Sequence, residues 1–442
     1  MASLPLSRQK SMRWNAPRYI NPERALHELS RIDLRPIVAA VSVCLVLALH
    51  AQEQYPPPLK HTAEDHPAEH IILLNVEGLH ALDLDTYVAA HPHSAIAELS
   101  TRAVIYSNAH LAWNTEAAGV LALVTGGTPL STGVYTAGQT CTLQSPRVNS
   151  IFDLVHARGE RTAWAGSAAE IRLLEGHTHN ALTDTVPTHT AAETMQMLAR
   201  WMSSPDPPQI AGATFQEFAA AQVATNAYAP LGEMSPALET TLDRFDKELA
   251  KLVGTLQSSA LYDRTWIVLT AASTSGPPVQ LSSGATDTSR LRLAIRRVAP
   301  HACVWIDGLA HIWLRDDAEI QRLASALAAQ RHSLGIGDIL TPARLRLRLA
   351  SPEPDERRPA LVLVPSTGIR WISSSSGMPA RSEDQNANVA LVISGAQFRD
   401  RRDPTPVPTT QTAALLVRAL GMEKLDLKAL HREHSPALPG IF

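Results

Sequence analysis

The stretch "IILLNVEGLH", residues 71–80, decides how the chain is read. Its first half is a short run of branched apolar residues, the signature of a strand covered on both faces. The run stops at an acid, Glu77, followed by Gly78. In open α/β sheets ligands bind beyond the carboxyl ends of the strands, so a carboxylate at that point is a candidate functional group. Runs of the same kind recur at "RTAWAG" (161–166), "RTWIVLTAA" (264–272), "PALVLVP" (359–365) and "NVALVIS" (388–394). Helical patterns lie between them. Ser235-Pro236 supplies an N-cap with proline at the first helical position, and Leu238, Leu242, Phe245, Leu249, Leu252, Val253 and Leu256 follow at helical spacing. A second helix is predicted from about Thr410 to Leu420, stopped by Gly421. The alternation predicts an α/β fold with a largely parallel central sheet and helices on both faces. "SPEPDERRP" (351–359) and "RDRRDPTPVPTT" (399–410) read as surface loops or linkers.

The chain has 442 residues, 45% of them hydrophobic, and a net charge of −3. That is ample for one large domain and gives no basic field for binding nucleic acid as a polymer. Residues 1–35 form a basic N-terminal tail, and 36–51, "PIVAAVSVCLVLALHA", are apolar. This run is shorter than the roughly 20 residues that span a bilayer as a helix and suits a signal peptide or signal-anchor. A proline-rich linker, 52–68, leads to the α/β domain, 69–442. The body is therefore expected to be secreted, or membrane-anchored through 36–51 and held outside the cytosol. Three cysteines do not make a disulfide framework. With Cys44 in the apolar run, Cys141 and Cys303 either bridge in an oxidising compartment or stay as separate buried thiols.

Further along, Asn108 and His110 follow "AVIYSNAH", and Thr115 and Glu116 open the apolar stretch "AAGVLALVTGG". A threonine at a helix N-terminus is placed to bind or attack phosphate, because free N–H groups and the helix dipole favour anions there; it is equally placed to serve as an ordinary N-cap. Together "IILLNVEGLH", "YSNAH", "TGGTPLSTGVY" (125–135), "YDRTWIVLTAAS", "NVALVISG", "PVPTTQTAALLVRALG" and "ALPGIF" resemble, in that order, the alkaline-phosphatase superfamily and its type I phosphodiesterase/nucleotide pyrophosphatase branch. The resemblance covers about residues 69 to 442. It implies hydrolysis of phosphate esters or phosphodiesters with two divalent metals, usually zinc, a Ser or Thr nucleophile, and Asp and His ligands at strand ends.

The chain departs from that pattern at each of those places. The ligand expected to be Asp is Glu77, and the nucleophile window "AWNTEAAG" (112–119) puts Glu116 at the nucleophile position, with Thr115 one residue early. Where His-Gly pairs are implied stand Ala272 and Ser273, and Ser375 and Ser376 beside Gly377; after "RTAW" comes "AGSAAE". Alanine and serine do not hold zinc. Other histidines stand elsewhere: His177 and His179 in a His-x-His pair, His189, a structural His311, and the polar "HREH" (431–434). Three readings follow, the third of which keeps the chain only as a structural ectodomain. In the first the chain is a pseudoenzyme of this branch with a degenerate two-metal site and no cofactor, which binds a small phosphate ester or a protein ligand. In the second it is an active hydrolase with an altered site, using Glu77 as metal ligand, Thr115 as nucleophile, and some of Asp243, Asp246, His177 and His179 as replacement ligands around two zinc ions.

Overall fold

A computed structural model describes residues 67–441, apart from 137–140, 142–144, 177–179, 224–227, 229–232, 275–283, 307–308, 349–354, 367–368 and 373–387. The basic tail, the apolar run 36–51 and the linker up to residue 66 lie outside the described residues, as do His177, His179, Ser375 and Ser376. Among the described residues no helix is long and apolar enough to cross a membrane.

In chain order the strands of the two main sheets are His70–Val76 (β1), Ala103–Tyr106 (β2), Thr162–Gly166 (β3), Asp184–Pro187 (β4), Ile210–Phe215 (β5), Thr265–Thr270 (β6), Cys303–Ile306 (β7), Ala310–Trp313 (β8), Ile336–Leu340 (β9), Leu361–Pro365 (β10), Leu391–Ser394 (β11) and Arg401–Asp403 (β12). The central sheet runs β12-β2-β11-β6-β1-β5-β3-β4. Only β11 is antiparallel to its neighbours, β6 and β2; the other pairs are parallel. The opening stretch supplies an inner strand. Ile71, Ile72, Leu73 and Leu74 are fully buried, because β5 and β6 flank them and helices cover both faces. Each such side chain contributes about 1.5–3 kcal/mol relative to exposure.

The covering helices fall into two groups. Pro236–Ser258 packs on Ala191–Met202 and on Ala95–Ser100, while Glu116–Thr125 packs on Gln411–Ala419 and Ile151–Ala157. The long helix starts as its sequence predicts: the Ser235 side chain accepts from Leu238 N, with Pro236 at the first position. Gln411–Ala419 ends before Gly421, whose φ of 62° completes the stop.

Two segments differ from expectation. "PALVLVP" does not join the parallel sheet. It forms β10 of a separate antiparallel sheet ordered β9-β10-β8-β7. Its apolar character on both faces has another cause: Leu361 and Leu363 pack with Leu291, Ile295 and Leu323 on one side, and Val362 packs with Trp113, Tyr135 and Leu345 on the other. The polar "RDRRDPTPVPTT" contains the edge strand β12, where exposed Arg401 and Arg402 are compatible with a strand that has only one neighbour. Cys141 and Cys303 form a disulfide, tying the segment after Tyr135 to β7.

Candidate functional site

The carboxyl edge of the central sheet gathers the residues singled out by sequence. β1 ends at Val76, and the N–H of Glu77 continues the ladder by donating to Phe215 O at 3.0 Å. Gly78 then turns with φ of 89° and donates to Ser273 O at 2.8 Å, joining the ends of β1 and β6. A side chain at 78 would be strained at that φ and would meet the Gln222 amide. Glu77 is buried, 1% exposed.

A chain of hydrogen bonds crosses the edge below it. Ala272 N donates to Asn75 Oδ1 at 2.7 Å, Asn75 Nδ2 donates to Thr214 Oγ1 at 3.0 Å, and the Thr214 hydroxyl donates to Glu170 Oε1. The chain thus links β6, β1, β5 and the helix Ala168–Leu174 that follows β3. Every member is buried, which favours full pairing over solvent competition. Glu170 has its pKa held well above the usual carboxylate range, first by burial, then by the negative charge of Glu116, with Glu77 adding to it; the Thr214 hydrogen bond opposes the shift. Its second oxygen lies against Gly166 and the Trp164 indole. Glu77, Glu116 and Glu170 therefore share one region, and the charges acting on Glu170 are both negative. Such a site holds a proton readily and repels a phosphate that arrives without cations.

Thr115 is fully buried at the N-terminus of Glu116–Thr125. Its hydroxyl donates to Tyr135 O at 2.8 Å and accepts from Ala118 N at 3.4 Å. Both hydroxyl roles are taken by backbone, so the residue serves as an N-cap. Glu116, next in line, accepts from Gln216 Nε2 at 3.0 Å, and Gln216 directly follows β5. One residue earlier, Asn114 locks the helix entry to the end of β6: its Nδ2 donates to Thr274 O and its Oδ1 accepts from Thr274 N, each at 3.0 Å. Gly119 lies so close to Ala272 that any Cβ would overlap the Ala272 carbonyl. The helix that should present a nucleophile is thus pressed onto the strand end that should present a metal ligand.

The residues implied by a two-zinc reaction can be tested against these positions. Ala271 and Ala272 are fully buried and bring no side-chain donor. Among the described residues no group of three or more His, Cys, Asp and Glu is arranged to hold a metal ion. The described residues therefore do not supply a two-zinc donor set. Asp243 accepts from the Tyr87 hydroxyl at 2.9 Å, and Asp246 accepts from Ala95 N and Ile96 N, capping a helix. Neither joins the strand ends. His189 is exposed, as are His431 and His434, while His311 is fully buried in β8.

Glu170, Thr214 and Gln216 were not singled out by sequence. Asn75 carried a usable signal, being a polar residue inside a run buried on both faces.

No protein-family model matches the chain, and no curated protein sequence does. Solved structures do. Murine ectonucleotide pyrophosphatase/phosphodiesterase 5, as an inactive variant in complex with AMP, superposes with a TM-score of 0.63 at 13% identity, over 80% of this chain and 96% of that one. The human protein of the same name gives 0.58 at 13% identity, over 84% and 96%. A mutant of the alkaline phosphatase PafA gives 0.60 at 12% identity, over 80% and 96%. The fold is alkaline-phosphatase-like, as in these solved structures. The likeness to the nucleotide pyrophosphatase/phosphodiesterase branch is one of architecture, spread over nearly the full length of those proteins.

Proposed function

We propose that this alkaline-phosphatase-like chain is a pseudoenzyme: it keeps the phosphodiesterase fold and acts by binding. One observation carries the reading. The Thr115 hydroxyl, next in sequence to the expected nucleophile position, is buried and engaged by Tyr135 O and Ala118 N. A nucleophile needs a base or metal to take its proton and an open approach for substrate. The paired environment of Thr115 favours neither. A small phosphate ester fits the precedent of the relative solved with AMP. It would have to bring cations to offset Glu77 and Glu116, so a protein ligand is the better match to the site. The Cys141–Cys303 bridge supports a body exported to an oxidising compartment, in keeping with a signal peptide or signal-anchor at 36–51.

The test is hydrolysis of bis-nitrophenyl phosphate from pH 5 to 10 with added zinc, magnesium or manganese, together with metal analysis of the purified chain. The expected result is no turnover above the blank and no stoichiometric zinc. Turnover abolished by Thr115→Ala would overturn the reading. The altered-hydrolase reading has one observation in its favour, the three carboxylates sharing the sheet edge. It requires turnover that Glu77→Gln abolishes.

A further inference from the structure

The helix Thr288–Val298, "TSRLRLAIRRV", carries Arg290, Arg292, Arg296 and Arg297 and no acid. Its inward residues, Leu291, Ala294 and Ile295, join the apolar cluster of the second sheet with Leu323, Leu361 and Leu363. Its outward residues are Arg290, Leu293, Arg296 and Arg297, all exposed, with Leu293 52% exposed among the guanidinium groups. Arg292 is spoken for: it donates to Val304 O at 3.1 Å, and burial together with the charge of Arg296 lowers its pKa.

The outward arginines differ from others on this surface. Arg102 reaches Asp263 at 2.7 Å, Arg264 reaches Glu69 at 2.6 Å, Arg344 reaches Asp338 at 2.5 Å and Arg402 reaches Asp85 at 2.6 Å. Arg290, Arg296 and Arg297 form no ion pair among the described residues. The adjacent helix, Asp317–Ala329, bears Asp317 and Glu319, and neither pairs with them. Arg292 and Arg296 stand four residues apart, and like charges at that spacing work against the helix that carries them. On a chain of net charge −3, this face is a local reversal of sign.

We propose that this face docks on an anionic lipid surface. Arginines complement lipid phosphates, and a leucine held out among them matches the pattern of helices that lie in a membrane interface. An acidic polypeptide would use the arginines and leave Leu293 without a role. The apolar run 36–51, expected to bring the chain to a membrane, would raise the local concentration of lipid and let a shallow contact suffice.

The test uses the full chain and compares vesicles of phosphatidylcholine alone with vesicles containing phosphatidylglycerol. The basic tail 1–35 also favours anionic lipid, but it is common to all variants, so the change from wild type to variant isolates the contribution of 288–298. The expected result is tighter binding to the anionic vesicles, weakened by salt, with hydrogen exchange slowed in 288–298. The R290Q/R296Q/R297Q variant should lose about fivefold per charge, roughly a hundredfold in all, of the anionic preference. Leu293→Ser should weaken binding without changing its salt dependence. All these positions are exposed, so an unchanged thermal melt would verify the fold. Equal binding by the triple variant, or protection of 288–298 by polyglutamate but not by anionic vesicles, would overturn the proposal.

Discussion

The two sheets bury polar groups in opposite ways. At the carboxyl edge of the central sheet, Asn75, Thr214 and Glu170 form a directional chain across neighbouring strands, and the titratable group at its end is an acid whose pKa is raised. In the second sheet the buried titratable group is a base, His311. Its ring lies 6.3 Å from that of Trp113 and 6.1 Å from that of Trp313, and burial alone lowers its pKa to about 3. Burial drives both residues toward their neutral forms. The difference lies in how each is held: the edge of the central sheet by polar bonds between strands, the second sheet by aromatic packing. At the carboxyl edge of the central sheet the strand ends are stitched together by these bonds.

If that stitching holds the edge, the largest effect belongs to the closest approach in it. Gly119→Val would drive side-chain atoms into the Ala272 carbonyl and push Glu116–Thr125 away from β6. The expected cost is at least about 3 kcal/mol in denaturant unfolding, with the Asn114–Thr274 pair lost as well. A cost below about 1 kcal/mol would mean that the helix is not seated on the strand end. Asn75→Ala comes next. It leaves Ala272 N and Thr214 without their partner in a buried region and should cost about 2–3 kcal/mol. A near-neutral result would dissolve the contrast between a bonded edge and a packed second sheet.

Much of the fold was legible in the chain because apolar, β-branched runs mark strands covered on both faces. β1 and β6 are of that kind, and the helix from Pro236 was legible by its serine cap and the helical spacing of its apolar residues. β5 was not legible. "IAGATF" has alanine and glycine in place of large residues, because the Trp164 ring occupies the space where a Cβ of Gly212 would stand. With β5 unseen, Thr214 and Gln216 could not be placed beside Glu77. Glu170 was hidden for another reason. "SAAE" reads as a capping box, and Ser167 does accept from Glu170 N at 3.2 Å, but the carboxyl turns to Thr214 and not back to the cap. The departures at Glu77, Glu116 and Ala272 could be read from residue identity alone. What those residues touch is a tertiary fact that no local pattern encodes.

The smallest effects are the ones that separate the two regions by sign. A buried base with a folded pKa of about 3, against 6.5 in the unfolded chain, gives stability that is present above pH 6.5 and lost as pH falls toward 3. His311→Phe should therefore remove about 2 kcal/mol of the stability lost between pH 7 and pH 5, measured by denaturant unfolding at each pH. Glu170 runs the other way. Its folded pKa is raised above 4.5, so the folded state holds a proton that the unfolded chain releases. Its contribution is full below pH 4.5 and is lost as pH rises through the folded pKa. Glu170→Gln keeps an acceptor for Thr214 and cannot ionise. The variant should match the wild type near pH 4 and gain on it as pH rises, the reverse of the His311 variant, which gains on acidification. Two variants that diverge on opposite sides of the profile would mean that each region keeps its buried group neutral by its own means. Parallel profiles would mean that one of the two groups is charged in the folded protein. A Glu170 variant that lost stability at neutral pH would identify an ionised carboxylate at the sheet edge.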